Sequence, residues 1–193
     1  MFITITGRPC SGKSTVSNLL AEQHNFKKIS VGGIFKEEAH KRRMNAEEFS
    51  SFCLKDPTFD FFIDNKTTEI ALEHEKEDII FDSRMAWHFV PFSFKVFIDL
   101  DEDEMARRLI NSDRKGKEKY TDIKEAKKSL LNRERVEIER YKKNYNQELS
   151  DMRNFDFVVD GANKTPQEIA DEIWAKYLFF IECLKPLPSA KLD

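Results

Sequence analysis

The chain has 193 residues, 35% of them charged, and a formal net charge of −3. That length suits one compact α/β domain and is short for two, while the balanced charge excludes a globally basic nucleic-acid surface and an acidic tail. Cys10, Cys53 and Cys183 are widely spaced without a C-x-x-C, and His24, His40, His74 and His88 lack metal-ligand spacing, so neither a disulfide framework nor a zinc site is expected.

The longest apolar run, Tyr177 to Ile181, is far below the roughly 20 residues that span a bilayer. No export or membrane signal is read, and a cytoplasmic protein with small-molecule partners, without nucleic acid or membrane, is expected.

Phe2 to Thr6 reads as a short buried strand, and Ser14 to Glu22 as a helix with Val16, Leu19 and Leu20 inward. Between them, Gly7-Arg8-Pro9-Cys10-Ser11-Gly12-Lys13-Ser14 satisfies G-x-x-x-x-G-K-[ST] at every fixed position, and Thr15 follows. Strand, loop and helix come in the order a phosphate-binding loop requires. Its backbone N–H groups wrap a polyphosphate, the Lys13 ammonium reaches the β- and γ-phosphates, and the Ser14 hydroxyl ligates Mg²⁺. The N-terminal end of the helix adds partial positive charge. ATP and Mg²⁺ are therefore the expected cofactors, with residues 7–15 as the nucleotide-binding set.

Phe26 to Ser30 reads as a second strand, and Ser30-Val31-Gly32-Gly33 as the turn into a helix reaching about Arg43. Asn45 starts a further helix. Asp56-Pro57 starts another, with Asp56 as cap and Pro57 at the first helical position, running to about His74. Phe52, Phe59, Ile63 and Thr67 share one face at helical spacing; Asp56, Asp60 and Asp64 recur every fourth residue on another. From spacing alone, those aspartates read as a solvated acidic face.

Asp78 to Asp82 is a continuously apolar strand ending in a carboxylate, immediately before Ser83-Arg84. An acidic strand end beside a phosphate-binding loop is where Mg²⁺ is held, directly or through water, so Asp82 joins Ser14 as an expected metal residue. Phe94 to Leu100 is the next strand. The run Asp101 to Glu104 offsets the dipole of the following helix and reads as structural. A basic break, Arg114-Lys115-Gly116-Lys117, leads to a long polar helix over about 122–145, in which Arg133, Arg135, Arg140, Lys142 and Lys143 interleave with Glu134, Glu137 and Glu139. Such a helix serves as a lid or is laced by ion pairs at i,i+3 and i,i+4. Phe155 to Asp160 is the last strand, and Thr165-Pro166 opens a capped helix to about Phe180. Alternating strands and helices imply a mostly parallel sheet covered on both faces, with ligands at the carboxyl ends of the strands.

The phosphate-binding loop, Ser30-Val31-Gly32-Gly33-Ile34-Phe35-Lys36, the segment Asp56 to Asp64, and Arg133-Glu134 followed by Arg140-Tyr141 occur in an order that resembles the archaeal-type cytidylate kinases over nearly the whole chain. That resemblance implies a five-stranded parallel sheet in the order 2-3-1-4-5 within a domain of residues 1–184. It also implies a monophosphate-binding insertion at about 31–75, a lid at about 112–145, and a tail at 185–193. It makes Ser30, Gly33, Lys36, Asp60, Asp64, Asp82 and Arg84 acceptor-binding residues, and Arg133 and Arg140 clamps on the transferring phosphate alongside Lys13 and Arg84. Cys10, Gly33, Lys36 and Ser83 depart from the pattern, which carries glycine, an acid, arginine and glycine there. Lys36 can neutralise a phosphate as a point charge but lacks the bidentate fork of arginine.

The implied reaction moves the ATP γ-phosphoryl group to CMP or dCMP. A kinase acting on a hydroxyl acceptor needs a carboxylate base, for which Asp82 is the obvious choice. A catalytically weak nucleotide-binding regulatory module is the alternative from outside enzymology.

Overall fold

The short apolar runs become five parallel strands: β1 (Phe2–Gly7), β2 (Lys27–Ser30), β3 (Ile79–Asp82), β4 (Ser93–Asp99) and β5 (Phe157–Asp160). Their order across the sheet is β2-β3-β1-β4-β5, the order the resemblance implies. These coordinates come from a computed structural model that describes residues 1–111, 120 and 122–184. Eight helices connect or follow the strands within those residues: α1 (Lys13–His24), α2 (Val31–Lys41), α3 (Ala46–Lys55), α4 (Thr58–Glu73), α5 (Ala86–Phe89), α6 (Glu102–Ile110), α7 (Ile123–Tyr145) and α8 (Pro166–Cys183). No helix among the described residues is long and apolar enough to cross a membrane.

The sheet is apolar on both faces because helices cover both. Ile3, Ile5, Ile80, Val96 and Ile98 pack with Val16 and Leu20 of α1 and Ile169, Ile173 and Tyr177 of α8. Other sheet residues, Phe81 and Phe97 among them, pack against α5 and α7 through Ala86, Trp87 and Tyr141. The insertion between β2 and β3 builds a small core of its own from Ala39, Phe49 and Cys53, ringed by Phe35, Phe52 and Phe59. That satellite core lets α2, α3 and α4 stand at the sheet's carboxyl edge.

Local signals set the ends of the elements. The Asp101 carboxylate accepts from the N–H groups of Asp103 (3.0 Å) and Glu104 (2.9 Å), so the acidic run is structural as expected. Thr165 and Glu168 close a capping box on α8. Asp56 accepts from the Thr58 N–H at 3.1 Å, but the helix begins at Thr58 and Pro57 takes the cap position, one residue later than the sequence implies. The basic stretch Arg114 to Lys117 and the tail 185–193 lie outside the described residues.

Register brings the functional ends together. Asp82 stands opposite both Ser30 of β2 and Ile5 of β1. Gly7 pairs with Ile98 so closely that a Cβ there would lie 2.4 Å from the Ile98 carbonyl oxygen, which requires glycine where the phosphate-binding loop leaves the sheet.

Candidate active site

A cleft of about 270 Å³ opens at the carboxyl edge of the sheet. It is lined by the loop from Pro9 to Thr15, by Ser30, Gly33 and Lys36 after β2, by Asp60 and Asp64 of α4, by Asp82 and Arg84 at the end of β3, and by Arg133, Glu137 and Arg140 of α7. The structure thus gathers nearly all the residues expected from sequence into one space. Arg8 is the exception among side chains.

In the loop, the N–H of Arg8 donates to the Ile98 carbonyl at 3.1 Å and that of Ser11 to the Arg8 carbonyl at 3.2 Å, folding the chain back on itself. Gly12 (φ +87) and Cys10 (φ +59) both adopt the left-handed region. That conformation is what glycine supplies most readily, and Cys10 adopts it with a side chain. The Arg8 side chain leaves the loop: its Nε and Nη2 bond Glu134 of α7 at 2.9 and 2.7 Å, and Nη1 bonds the Leu100 carbonyl at 3.0 Å. The Arg8 side chain therefore ties the loop to the end of β4 and to α7.

Lys13 faces the cleft among cations. Desolvation, with repulsion from Arg84 second, pushes its ammonium down to about 7 although Asp82 and Glu137 oppose the shift. A cation held at such a cost is poised for an anionic ligand, because polyphosphate would restore its ordinary value.

Asp82 is buried, and its Oδ2 has no hydrogen-bond donor among the described residues. Lys28 of β2 stands 3.5 Å from that oxygen, and the Lys28 ammonium also donates to the Asn18 side chain (2.7 Å) and the Ser14 carbonyl (3.1 Å). A buried carboxylate oxygen short of donors, in one cleft with the Ser14 hydroxyl, fits a hydrated Mg²⁺. Ser83 has a structural use: its hydroxyl accepts from the N–H groups of Met85 and Ala86, both at 3.2 Å, and starts α5.

Arg84, Arg133 and Arg140 converge on α7. Arg84 donates to the Gly7 carbonyl and its Nε lies 3.1 Å from Glu137 Oε2; the Arg133 Nε donates to Glu137 Oε1 at 3.3 Å. Desolvation pushes the Glu137 carboxyl up, but Arg84, Arg133, Arg140 and Lys13 together prevail and hold it at about 2. Arg140 is 2% exposed. Its Nε pairs with Asp60 Oδ2 at 3.1 Å, its Nη groups donate to Ser50 and the Tyr141 hydroxyl at 3.0 Å, and the guanidinium lies over the Phe35 ring. Arg140 thus lines the cleft with its guanidinium engaged by Asp60, Ser50 and Tyr141.

The aspartates are not a solvated face. Asp60 and Asp64 are 6% and 7% exposed, and of the three only Asp56 remains at the surface, where it accepts from the Thr58 N–H. Asp60 also accepts from Asn144 at 3.2 Å. Asp64 accepts from the Tyr145 hydroxyl, and no cation lies within ion-pair distance of it among the described residues. Burial, opposed by Tyr145 and aided by the neighbouring Asp60 charge, raises its carboxyl to about 7.

Several working residues escaped the sequence reading. Glu134 and Glu137 looked like partners for arginines of their own helix; Glu137 does pair with Arg133 there but also reaches Arg84, and Glu134 reaches Arg8. Their three-residue spacing already placed them on one face. Lys28 shares the strand face of Ser30, two residues on, and alternation pointed it at the same edge.

A family described as "AAA domain" matches residues 3–142. A cytidylate kinase of Methanosarcina barkeri is 34% identical over 89% of this chain and 93% of its own length; one of Methanosarcina mazei is 36% identical over 83% of this chain and 87% of its own. Among solved structures, a shikimate kinase of Aquifex aeolicus superposes with a TM-score of 0.55 at 23% identity, covering 94% of this chain and 98% of that one, a likeness of fold. With phosphate-binding loop, sheet order and cleft in place, the chain belongs to the archaeal-type cytidylate kinase family of P-loop kinases.

Proposed function

We propose that the protein transfers the γ-phosphoryl group of ATP to CMP or dCMP, giving ADP and the corresponding diphosphate. The observation that carries this reading is the lining of one cleft, shared by the phosphate-binding loop, the buried Asp60 and Asp64, and the cations Lys36, Arg84 and Arg133. Those cations suit a phosphate acceptor.

Such a transfer needs little covalent chemistry from the protein. The transition state is loose, so in-line placement and neutralisation of charge on the transferring oxygens supply most of the acceleration. The loop and Lys13 hold the donor's β- and γ-phosphates. Ser14 and Asp82 would hold Mg²⁺, which when bound neutralises the donor phosphates. Arg84 and Lys36 face the acceptor phosphate, and Arg133 approaches from α7. A general base is unnecessary because a monophosphate, with a second pKa of about 6, is already mostly ionised at neutral pH. Asp82 is paired with Lys28, whose ammonium stands 3.5 Å from its Oδ2, and the cations Lys36, Arg84 and Arg133 in the same cleft favour an anionic acceptor over a hydroxyl.

Of the two buried aspartates Asp64 is the better reader of the base. Asp60 is committed to Arg140 and Asn144, whereas the Asp64 carboxyl is oriented by the Tyr145 hydroxyl among the described residues. A carboxyl oxygen there accepts from the exocyclic amino group of cytosine, a donor that uracil lacks. When Asp64 is ionised, uracil would leave that oxygen facing a carbonyl, which disfavours UMP beyond one lost hydrogen bond.

A coupled ADP-release assay across CMP, dCMP, UMP, AMP, GMP and cytidine tests the proposal. CMP or dCMP should exceed the other monophosphates in kcat/KM by at least about tenfold, the worth of roughly 1.4 kcal/mol, and cytidine should be inert. Turnover of cytidine without turnover of CMP would move the protein to the hydroxyl-acceptor kinases.

A further inference from the structure

Glu137 is a buried anion at the centre of a cationic site, and neither the loop motif nor the acceptor residues account for it. Its two carboxylate oxygens face different partners: Oε1 accepts from the Nε of Arg133 on the same helix, and Oε2 stands 3.1 Å from the Nε of Arg84, which arrives from the end of β3. Lys13 and Arg140 lie close enough to stabilise it further. Two guanidinium groups brought together in a cleft repel one another. A carboxylate shared between them removes that repulsion and pairs with both through the Nε; the Arg84 Nη1 is taken by the Gly7 carbonyl, so the Arg84 Nη2 and the Nη groups of Arg133 are the edges that can meet phosphate.

A second carboxylate holds the same helix. Glu134, three residues earlier on α7, grips Arg8 of the phosphate-binding loop through two hydrogen bonds. The stretch of α7 that carries Arg133 and Glu137 is therefore fastened to the loop itself.

We propose that Glu137 is a positioning residue: one carboxylate yokes Arg84 and Arg133, so that both arginines converge on the phosphate being transferred and stay on Glu137 while they do so. The inference rests on the phosphoryl-transfer reading above, though not on the choice of base. It distinguishes Glu137 from a placeholder that gives up its arginines when nucleotide arrives.

The test is Glu137→Gln, a neutral substitution of the same size, assayed well below its unfolding midpoint. The yoke predicts a kcat lower by about a hundredfold, comparable to losing one preorganised donor, with the KM for ATP within about threefold because Lys13 and the loop still bind it. In an Arg133→Ala background the same substitution should lower kcat much less than it does in the wild type, since the yoke then has one arm. Retained kcat overturns the proposal, and so does tighter binding of ADP, which would mark Glu137 as a competitor of phosphate.

Where Glu137→Gln does not fold, Glu137→Asp keeps the buried charge on a shorter arm that cannot span both arginines. It should fold and lose at least about tenfold in kcat. Wild-type turnover by Glu137→Asp overturns the yoke. Should the wild type itself fail to use CMP, the acceptor reading fails separately, and the yoke is tested on whichever monophosphate in the panel turns over.

Discussion

Arg140 and Asp60 form a buried ion pair, Nε to Oδ2 at 3.1 Å, that joins α7 to α4. Burial alone would discharge both groups: desolvation is the largest influence on each, lowering the arginine and raising the aspartate. For Arg140 the attraction of Tyr141 and Asp60 prevails, and its charge is held more firmly than usual. Removing one partner leaves the other buried and unpaired. Arg140→Met and Asp60→Asn should each destabilise the fold by about 3–5 kcal/mol, measured by urea unfolding. The double variant should be much less destabilised than the sum of the two. Strict additivity would show that the pair contributes nothing as a pair.

Lys13 gives a prediction in protons. With its ammonium pushed down to about 7, a large share of Lys13 is neutral at pH 8 in the unliganded protein. Bound polyphosphate favours the charged form, so ADP binding at pH 8 should take up a proton. The nucleotide's own phosphates, with a second pKa of about 6, are already ionised there and add little. Calorimetric titration in buffers of differing ionisation enthalpy measures the uptake directly. Lys13→Met should abolish it and lower transfer by at least about a hundredfold; an unchanged uptake would assign the proton to another group.

Much of this was legible in the sequence, and the exceptions share a cause. The loop, the acidic end of β3 and the caps at Asp101 and Thr165 are local patterns whose physics lies within a few residues, and each stands where the pattern puts it. Spacing misled on the aspartates because it reports which residues share a helix face, not what covers that face. Arg140, ninety residues from Ser50 and eighty from Asp60, covers it. Arg8 shows the same limit. Its motif position points to nucleotide, while its partner Glu134 lies far along the chain. Long-range ion pairs between charged helices have no local signature, and α7 supplies most of them.

The last prediction turns the burial of Asp64 into a pH dependence. Its carboxyl is raised from an ordinary 3.8 to about 7, first by desolvation, with the charge of Asp60 adding to it and the Tyr145 hydroxyl and Arg140 opposing it. Between those two values the folded chain keeps the Asp64 proton and the unfolded chain has lost it. Folding therefore takes up a proton in that window, and stability falls as pH rises from about 4 to about 7. Above it the full cost is present, about 4 kcal/mol for a shift of roughly three units. Asp64→Asn retains the shape and a hydrogen-bonding oxygen for Tyr145 but cannot ionise. It should flatten the decline and make the protein more stable than the wild type at pH 8, with the two converging near pH 4. Tyr145→Phe should act the other way at high pH, since it removes the donor that relieves the ionised carboxylate. Urea unfolding at pH steps from 4 to 8 compares the three. An Asp64→Asn profile parallel to that of the wild type would mean that Asp64 titrates as an ordinary carboxylate despite its burial.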